Sequence, residues 1–376
     1  MKKVICFFLC MILTSSNLVF AENNTGLTVN AKSYILMEAS TGQIFCENNA
    51  DEKVPIASVT KIMTMLLIAE AIDSGRITLE DMVGVSRHAM DMGGSTMFLE
   101  EGESLSVNDM LKGIAVASAN DGCVAMAEFL EGSDAAFVAK MNKKAAELGM
   151  VNTNFINTNG LDDDNHYSSA RDVAIMSREL LKHEIILNYT TIWTDSLRNG
   201  KFELANTNKL IRFYDGANGL KTGSTSKAGC CLSAAAKRND MQLIAVVLGA
   251  PNSKERFAGA RALLDYGFSA YKITYPVKKG DVIANVQIKG GVANEISGLA
   301  AENISVLSSV SDNYEAEIST ELLEAKAPVY VNQKIGTVTV TKGGQVIGQT
   351  DLLASQTVEK KTFFAWFYDA LKTLCF

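Results

Sequence analysis

Apolar and polar residues alternate along this chain with two different periods, and the period changes at a few positions. Between residues 29 and 46, alternating apolar positions flank a Gly-containing turn at 39–42 and predict a β-hairpin. From residue 58 onward the apolar positions recur every three or four residues, which is typical of helices. We predict helices at 58–69, 107–117, 121–131, 134–148 and 171–183, with a polar, turn-rich loop at 152–169.

Strand-type patterns return near residue 221 and continue to residue 248, and a last helical pattern covers 256–271. Strands at both ends of residues 29–270 surround an all-helical middle. This order predicts one α+β domain whose sheet pairs strands that are distant in the chain.

Beyond Pro276 the pattern changes to short β-type runs separated by glycine turns, which predicts a small all-β domain. The runs lie at 283–286, 304–307, 329–331 and 337–340. We therefore divide the chain into a leader at 1–21, an α+β domain at 22–275, an all-β domain at 276–354 and a C-terminal helix at 355–376.

The first 21 residues have the pattern of a signal peptide. Lys2 and Lys3 precede an apolar stretch from Val4 to Leu13, and a small residue, Ala21, fits the cleavage position. An uncleaved membrane helix is the alternative, but the apolar stretch is short for one. We expect an exported protein whose mature chain begins near Glu22.

The last residues form an aromatic-rich amphipathic pattern. Apolar residues occupy positions 363, 366, 367, 370, 371 and 374, which share one helix face. The segment is too short to span a bilayer and carries Asp369 and Lys372, so we predict that 360–374 lies on a membrane surface. A terminal helix packed on its own protein is the alternative.

Composition and charge exclude several classes of function. With 47% hydrophobic and 20% charged residues, the chain is not disordered. The formal net charge of −7 argues against nucleic acid as a partner.

The cysteines and histidines predict neither a disulfide framework nor a cofactor. The cysteines that follow the leader are odd in number, and the adjacent Cys230 and Cys231 do not easily bridge each other. Only three histidines are present, without a His-Glu-x-x-His or Cys-x-x-Cys motif, which argues against a zinc enzyme.

Candidate chemistry begins with Ser58 and Lys61. In a helix, residues three apart share a face, so the hydroxyl and the amine would lie side by side in the first turn. A lysine with a lowered pKa can take the proton of a serine and make it a nucleophile. The spacing is weak by itself, because Ser224 and Lys227 repeat it.

Two further motifs follow in order. Ser118-Ala119-Asn120 lies in a predicted break between two helices, and Lys221-Thr222-Gly223 opens a predicted strand. Ser106-Val107-Asn108 and Ser311-Asp312-Asn313 also match the middle motif, but they lack the right context. Ser-x-x-Lys, Ser-x-Asn and Lys-Thr-Gly in this order are the signature of penicillin-binding proteins and class A β-lactamases.

More specifically, the chain resembles the serine D-alanyl-D-alanine carboxypeptidases, the low-molecular-mass penicillin-binding proteins. The similarity also includes residues 93–95, 169–172, 219–225 and 246–250. It implies a β-lactamase/transpeptidase-like domain with an antiparallel sheet and a helical cluster, followed by the all-β domain and the anchor helix. It also implies peptidoglycan stem peptides as substrate, β-lactams as inhibitors, and a place at the outer face of the cytoplasmic membrane.

The resemblance further implies roles for individual residues. Ser58 would attack the carbonyl between the two terminal D-alanines, with Lys61 as base and with the charge of Lys221 lowering the pKa of Lys61. Ser118 would pass the proton to the leaving amine, and Asn120 would position Lys61 and the substrate amide.

The remaining predicted residues bind the substrate. Backbone N–H groups of Ser58 and Ser224 would form an oxyanion hole. The substrate carboxylate needs cations and donors, for which Lys221, Thr222 and Arg256 are candidates. Gly223 completes this predicted set, and position 224 is Ser where many relatives carry His.

Two other interpretations remain. Glu184, Leu187 and Asn188 imitate the Glu-x-x-Leu-Asn pattern of a class A β-lactamase, but they lie too close to Lys221 and inside a run with helical character. A catalytically weak, penicillin-binding scaffold at the cell surface is the second alternative, and the intact motifs argue against it.

Overall fold

The computed structural model describes residues 27–312 and 316–364. The predicted leader and most of the predicted anchor helix lie outside the described residues. The strands up to residue 250 are β1 (Ser33–Glu38), β2 (Ile44–Asn48), β3 (Met82–Gly84), β4 (Ser104–Ser106), β5 (Thr194–Leu197), β6 (Phe202–Ala205), β7 (Ala217–Thr225), β8 (Gly229–Arg238) and β9 (Met241–Ala250).

The helices follow the predicted ones closely, with three short additions, α2, α7 and α8. They are α1 (Lys61–Asp73), α2 (Arg87–Met90), α3 (Val107–Lys112), α4 (Asn120–Glu131), α5 (Asp134–Glu147), α6 (Ala170–Leu180), α7 (Leu187–Thr190), α8 (Leu210–Phe213) and α9 (Ser253–Ala270). A 3₁₀ turn at Ala57–Thr60 precedes α1, and a π-helical turn at Gly113–Ala117 continues α3.

The central sheet has five antiparallel strands in the order β2-β1-β9-β8-β7. Ser33 of β1 pairs with Leu248 of β9, so the first and last strands of the domain lie side by side, as predicted. Strands β2 and β7 are the two edge strands of this sheet. The β7 edge carries the Lys-Thr-Gly motif.

The sheet separates two apolar layers. Along β9, Ile244, Val246 and Leu248 join a core cluster with α1, whereas Leu243 and Val247 join a second cluster with α9. This alternation follows from the two-residue period of a strand. Helix α1 is buried on nearly every side, which makes it the centre of the helical layer.

The all-β domain has its own core. Its strands are β10 (Tyr271–Val277), β11 (Val282–Lys289), β12 (Glu295–Ala300), β13 (Ile304–Ser309), β14 (Glu317–Leu322), β15 (Ala325–Lys326), β16 (Lys334–Lys342) and β17 (Gln345–Ala354). Six of them form a sheet in the order β14-β16-β17-β12-β11-β15, and β10 pairs with β13. Residues such as Val286, Val338 and Leu352 fill its interior.

The segment after β17 differs from the predicted helix at its beginning. Val358 is buried and forms a β-bridge with Val329, and Lys361 N donates to Gly290 O. Residues 355–361 are therefore an extended segment docked on the all-β domain, because their backbone groups pair with its loops. Among the helices in the described ranges, none is long and apolar enough to cross a membrane.

Candidate active site

Ser58 and Lys61 are in contact at the start of α1. Lys61 Nζ lies 2.8 Å from Ser58 Oγ. The helix begins at Lys61 and not at Ser58 as predicted, because residues 57–60 form a 3₁₀ turn. In a 3₁₀ turn residues i and i+3 eclipse each other, so the contact is preserved.

The amino group of Lys61 has three oxygen partners and no exposure to solvent. Besides Ser58, Nζ donates to Asn120 Oδ1 at 2.7 Å and to the Asn159 carbonyl at 2.7 Å. Three acceptors match the three N–H groups of an ammonium ion. When the group is neutral, two N–H bonds suffice for Asn120 and Asn159, and the lone pair faces the Ser58 hydroxyl.

The electrostatics of Lys61 differ in cause from the prediction. Burial lowers the pKa of Lys61 to about 8, while the neighbouring Asp121 opposes this shift. Repulsion between the two lysines instead affects Lys221. Burial, and then the charge of Lys61, lower the pKa of Lys221 well below its usual value. A neutral fraction of Lys61 therefore exists near neutral pH mainly because the amine is buried.

Asn120 is held from both sides. Its side-chain Nδ2 donates to Gly93 O at 2.6 Å, and its backbone N–H donates to Ser95 O at 2.7 Å. The next residue, Asp121, accepts hydrogen bonds from the backbone N–H groups of Met97 and Leu99. The loop that contains Gly93 and Ser95 thereby fixes the amide that contacts Lys61.

Ser118 lies where the predicted helix break occurs. Its φ of 64° is left-handed, and it separates the π-helical turn from α4. Its side chain is almost fully buried. A left-handed non-glycine residue is uncommon, and such strain concentrates at functional sites.

Strand β7 approaches the Ser58 turn very closely at Gly223. A Cβ atom on Gly223 would lie 2.7 Å from Ile56 O and 2.8 Å from Ser58 N, so only glycine fits. The next residue, Ser224, is exposed and pairs with Cys230 of β8. The two predicted oxyanion donors therefore belong to adjoining backbone segments.

Lys221 and Thr222 are buried in the middle of β7, whereas the sequence predicted them at its beginning. Lys221 Nζ donates to Thr222 O at 3.1 Å. The hydroxyl of Thr222 lies 2.6 Å from the hydroxyl of Thr207, a residue that the sequence motifs did not indicate.

Arg256 lies in the first turn of α9 and braces β7 from behind. Its Nη1 donates to Gly223 O at 3.2 Å and to Cys231 O at 3.4 Å. Its Nη2 donates to Ser253 Oγ, and burial lowers its pKa. The guanidinium thus joins the edge strand β7 to its neighbour β8, next to the predicted carboxylate site.

The loop at 152–169 contributes residues that the sequence did not indicate. Gly160 has a φ of +90°, and a Cβ there would lie 1.9 Å from Ala57 O, so the loop packs directly on the Ser58 turn. The carbonyl of Asn159, which binds Lys61, is presented by this packing. A backbone carbonyl has no side-chain signature, which is why no motif predicted it.

His166 is a further residue that the sequence motifs did not indicate. Its Nδ1 accepts from Ile156 N–H, so the Nε2 proton is available to Thr60 Oγ1, 2.7 Å away. Burial lowers the pKa of His166 to about 4, which keeps the ring neutral. Through these two hydrogen bonds the ring links the loop at 152–169 to Thr60, which lies in the turn that carries Ser58.

Glu184, the candidate base of the lactamase alternative, has a different environment. It is exposed at the beginning of a 3₁₀ turn, Glu184–Ile186, and the oxygen atoms that contact Lys61 belong to other residues. Within the described residues, no cluster of His, Cys, Asp and Glu has the arrangement of a metal site.

Comparisons with known proteins identify the family of this chain. A family model described as D-alanyl-D-alanine carboxypeptidase, of the peptidase S11 group, matches residues 19–252. A model of the C-terminal domain of penicillin-binding protein 5 matches residues 271–360. The chain is 44% identical to D-alanyl-D-alanine carboxypeptidase DacF of Bacillus subtilis over 97% of each chain.

Solved structures are also similar to this chain. Penicillin-binding protein 5 from Haemophilus influenzae has a TM-score of 0.70 and 32% identity, covering 89% of this chain and 99% of that one. Penicillin-binding protein D2 from Listeria monocytogenes, solved in an ampicillin-bound form, has a TM-score of 0.59 and 31% identity over 64% of this chain and 99% of its own. The predicted resemblance is confirmed: the chain belongs to the D-alanyl-D-alanine carboxypeptidase family.

Proposed function

We propose that this protein is a serine D-alanyl-D-alanine carboxypeptidase that removes the terminal D-alanine from peptidoglycan stem pentapeptides through an acyl-enzyme on Ser58. The observation that carries the proposal is the 2.8 Å contact between Ser58 Oγ and the fully buried amine of Lys61. Relatives named as D-alanyl-D-alanine carboxypeptidases support the same reaction.

Acylation begins when neutral Lys61 accepts the Ser58 proton. Ser58 Oγ then bonds to the carbonyl carbon between the two D-alanines. As the tetrahedral intermediate collapses, the C–N bond breaks, and the departing D-alanine nitrogen takes up a proton through Ser118. Asn120 keeps Lys61 Nζ directed at the serine throughout.

Deacylation uses Lys61 as the base again, with water as the nucleophile. Lys61, again neutral, takes a proton from a water molecule that attacks the Ser58 ester. The C–O bond breaks, Ser58 recovers its proton, and the shortened peptide leaves with a new carboxylate. No metal or other cofactor enters either step.

Two backbone donors stabilise the charge that develops on the carbonyl oxygen. The N–H groups of Ser58 and Ser224 are the proposed pair, and the close approach at Gly223 supports their convergence. Removal of one such donor costs about 10²–10³ in rate in a studied protease. The free edge of β7 offers further backbone groups to an extended peptide.

The substrate carboxylate would bind beside Lys221 and Thr222, with Arg256 holding the strand that carries them. A β-lactam presents a carboxylate and a strained amide to the same groups. Because its leaving nitrogen stays tethered through the opened ring, the acyl-enzyme persists and the β-lactam acts as an inhibitor.

We further propose that the enzyme is exported by residues 1–21 and works at the outer face of the cytoplasmic membrane. The aromatic stripe of 360–374 would lie in the interface, with its lysines toward headgroups. The proposed reaction fits this location, because peptidoglycan is assembled outside that membrane.

Labelled penicillin and a pentapeptide assay test the function together. We expect one label per chain on Ser58, loss of labelling in Ser58→Ala, and release of D-alanine from the pentapeptide by the wild-type protein. Rapid turnover of penicillin would identify a β-lactamase. Labelling without D-alanine release would identify a scaffold.

A further inference from the structure

The short segment after β6 is built to present one hydroxyl to the site. Asn206 and Asn208 are buried, whereas Thr207 between them is exposed. Asn206 Nδ2 donates to Ile192 O at 2.7 Å, and its Oδ1 accepts from Asn208 N at 2.9 Å. The segment is therefore fixed by buried amides on both sides of Thr207.

The same segment is tied to β7. Asn208 Nδ2 donates to Gly219 O at 2.9 Å, and Thr190 Oγ1 donates to the adjacent Asn218 O at 2.7 Å. Both carbonyls lie on β7 upstream of Lys221. The position of Thr207 relative to the Lys-Thr-Gly motif is thus set by side-chain hydrogen bonds.

Thr207 Oγ1 lies 2.6 Å from Thr222 Oγ1. Each hydroxyl has one proton, so one of the two residues donates in this contact and the other accepts. If Thr222 donates to Thr207, it presents only lone pairs to any anion beside Lys221. If Thr207 donates, the proton of Thr222 is free to point at that anion.

We propose that Thr207 is a positioning residue for the substrate carboxylate, which donates to Thr222 so that Thr222 donates to the carboxylate. This inference rests on the proposed function and deepens it. A carboxylate only accepts hydrogen bonds, so its binding selects this direction of the chain. Hydrogen bonds that end on a charged acceptor are stronger, and a chain of them is cooperative.

Thr207→Val removes the hydroxyl with little change in shape, and Thr207→Ser is the matched control that keeps it. We expect Thr207→Val to raise KM for the pentapeptide about fivefold, as for loss of one hydrogen bond, with kcat nearly unchanged. The KM of Thr207→Ser should stay within about twofold of the wild-type value, because serine keeps the hydroxyl that donates to Thr222.

A second readout separates carboxylate recognition from a general structural role. The rate of Ser58 acylation is followed by mass spectrometry with a penicillin bearing a free carboxylate and with its methyl ester. Thr207→Val should slow acylation by the free acid about fivefold and leave acylation by the ester unchanged, because the ester has no charged carboxylate to accept a hydrogen bond from Thr222.

Equal slowing with acid and ester, or no slowing with the acid, would overturn the role of Thr207. These outcomes are distinct from failure of the proposed function, which would appear in the wild-type protein as absent D-alanine release. A thermal unfolding midpoint equal to that of the wild type shows that Thr207→Val is folded.

Discussion

Asn120 holds the catalytic amine and the neighbouring loop with one amide group: Oδ1 accepts from Lys61 Nζ at 2.7 Å while Nδ2 donates to Gly93 O at 2.6 Å. The orientation of this amide is therefore fixed by two partners of opposite hydrogen-bonding character. A carboxylate at the same position would satisfy Lys61 but not Gly93, because both of its oxygens are acceptors.

We expect Asn120→Asp to raise the pKa of Lys61, since an opposite charge in contact stabilises the ammonium form by roughly 1–3 pKa units. Acylation by penicillin at pH 7 should fall about tenfold or more, with activity recovered at higher pH. Asn120→Ala is the control, because it removes the contacts without adding charge. A wild-type pH midpoint in Asn120→Asp would contradict the assignment.

The wild-type enzyme should itself depend on pH in a defined direction. Lys61 acts as a base only when neutral, and burial lowers its pKa to about 8. Acylation should therefore increase as pH rises through about 8, as measured by the rate of penicillin labelling between pH 6 and 9.5. Lys61→Arg should be inactive over this whole range, because a guanidinium does not lose its proton.

Gly160 allows a test of how the loop positions Ser58. Gly160 and Gly149 both have left-handed φ values, but a Cβ on Gly149 would meet no atom within 4 Å. Gly149→Ala should lose only about 1–2 kcal/mol of unfolding free energy from backbone strain. Gly160→Ala should lose at least about 2 kcal/mol more, since its Cβ collides with Ala57 O and the loop must move.

Urea unfolding and penicillin labelling measure the two consequences separately. The Asn159 carbonyl, which contacts Lys61, lies next to Gly160 in the same loop. We therefore expect penicillin labelling of Gly160→Ala to slow about tenfold or more, because a small misplacement of catalytic groups has an effect of this size. Equal stability and equal labelling of the two variants would show that the loop does not position Ser58.

The sequence predicted the framework of this site because side-chain types and spacing determine it. Ser58 and Lys61 remain in contact even though α1 begins three residues later than predicted, since helical and 3₁₀ turns both bring i and i+3 together. The break at Ser118 was predictable because Ser118-Ala119-Asn120 falls between two apolar helical patterns.

Features that depend on backbone atoms or distant packing were not predictable in this way. Asn159 acts through a carbonyl that every residue possesses, and Thr207 gains its role only when β7 lies next to its loop. The hairpins β3–β4 and β5–β6 were missed because strands of three or four residues are too short to show a period.

His166 should make the free energy of unfolding depend on pH in the acidic range. Its folded pKa is lowered to about 4, and its unfolded value is about 6.5, so the unfolded chain binds a proton first as pH falls. This contribution is fully present above pH 6.5 and decreases toward pH 4, by about 3 kcal/mol at most.

Urea unfolding between pH 4 and 7 measures this dependence. His166→Gln retains a donor for Thr60 and should be less stable at pH 7, but with a flatter pH dependence than the wild type. An unchanged slope in His166→Gln would contradict the assigned role.

The membrane anchor can be tested more cleanly by truncation after residue 364 than by removal of all of 356–376. Val358 is part of the core of the all-β domain and pairs with Val329 through two backbone hydrogen bonds. The longer deletion therefore damages a folded domain as well as the predicted anchor, whereas removal of 365–376 leaves these bonds in place.

We expect the shorter deletion to release the protein from anionic vesicles with penicillin labelling and thermal midpoint unchanged. The longer deletion should lower the thermal midpoint as well, and full vesicle binding after the shorter one would refute the anchor.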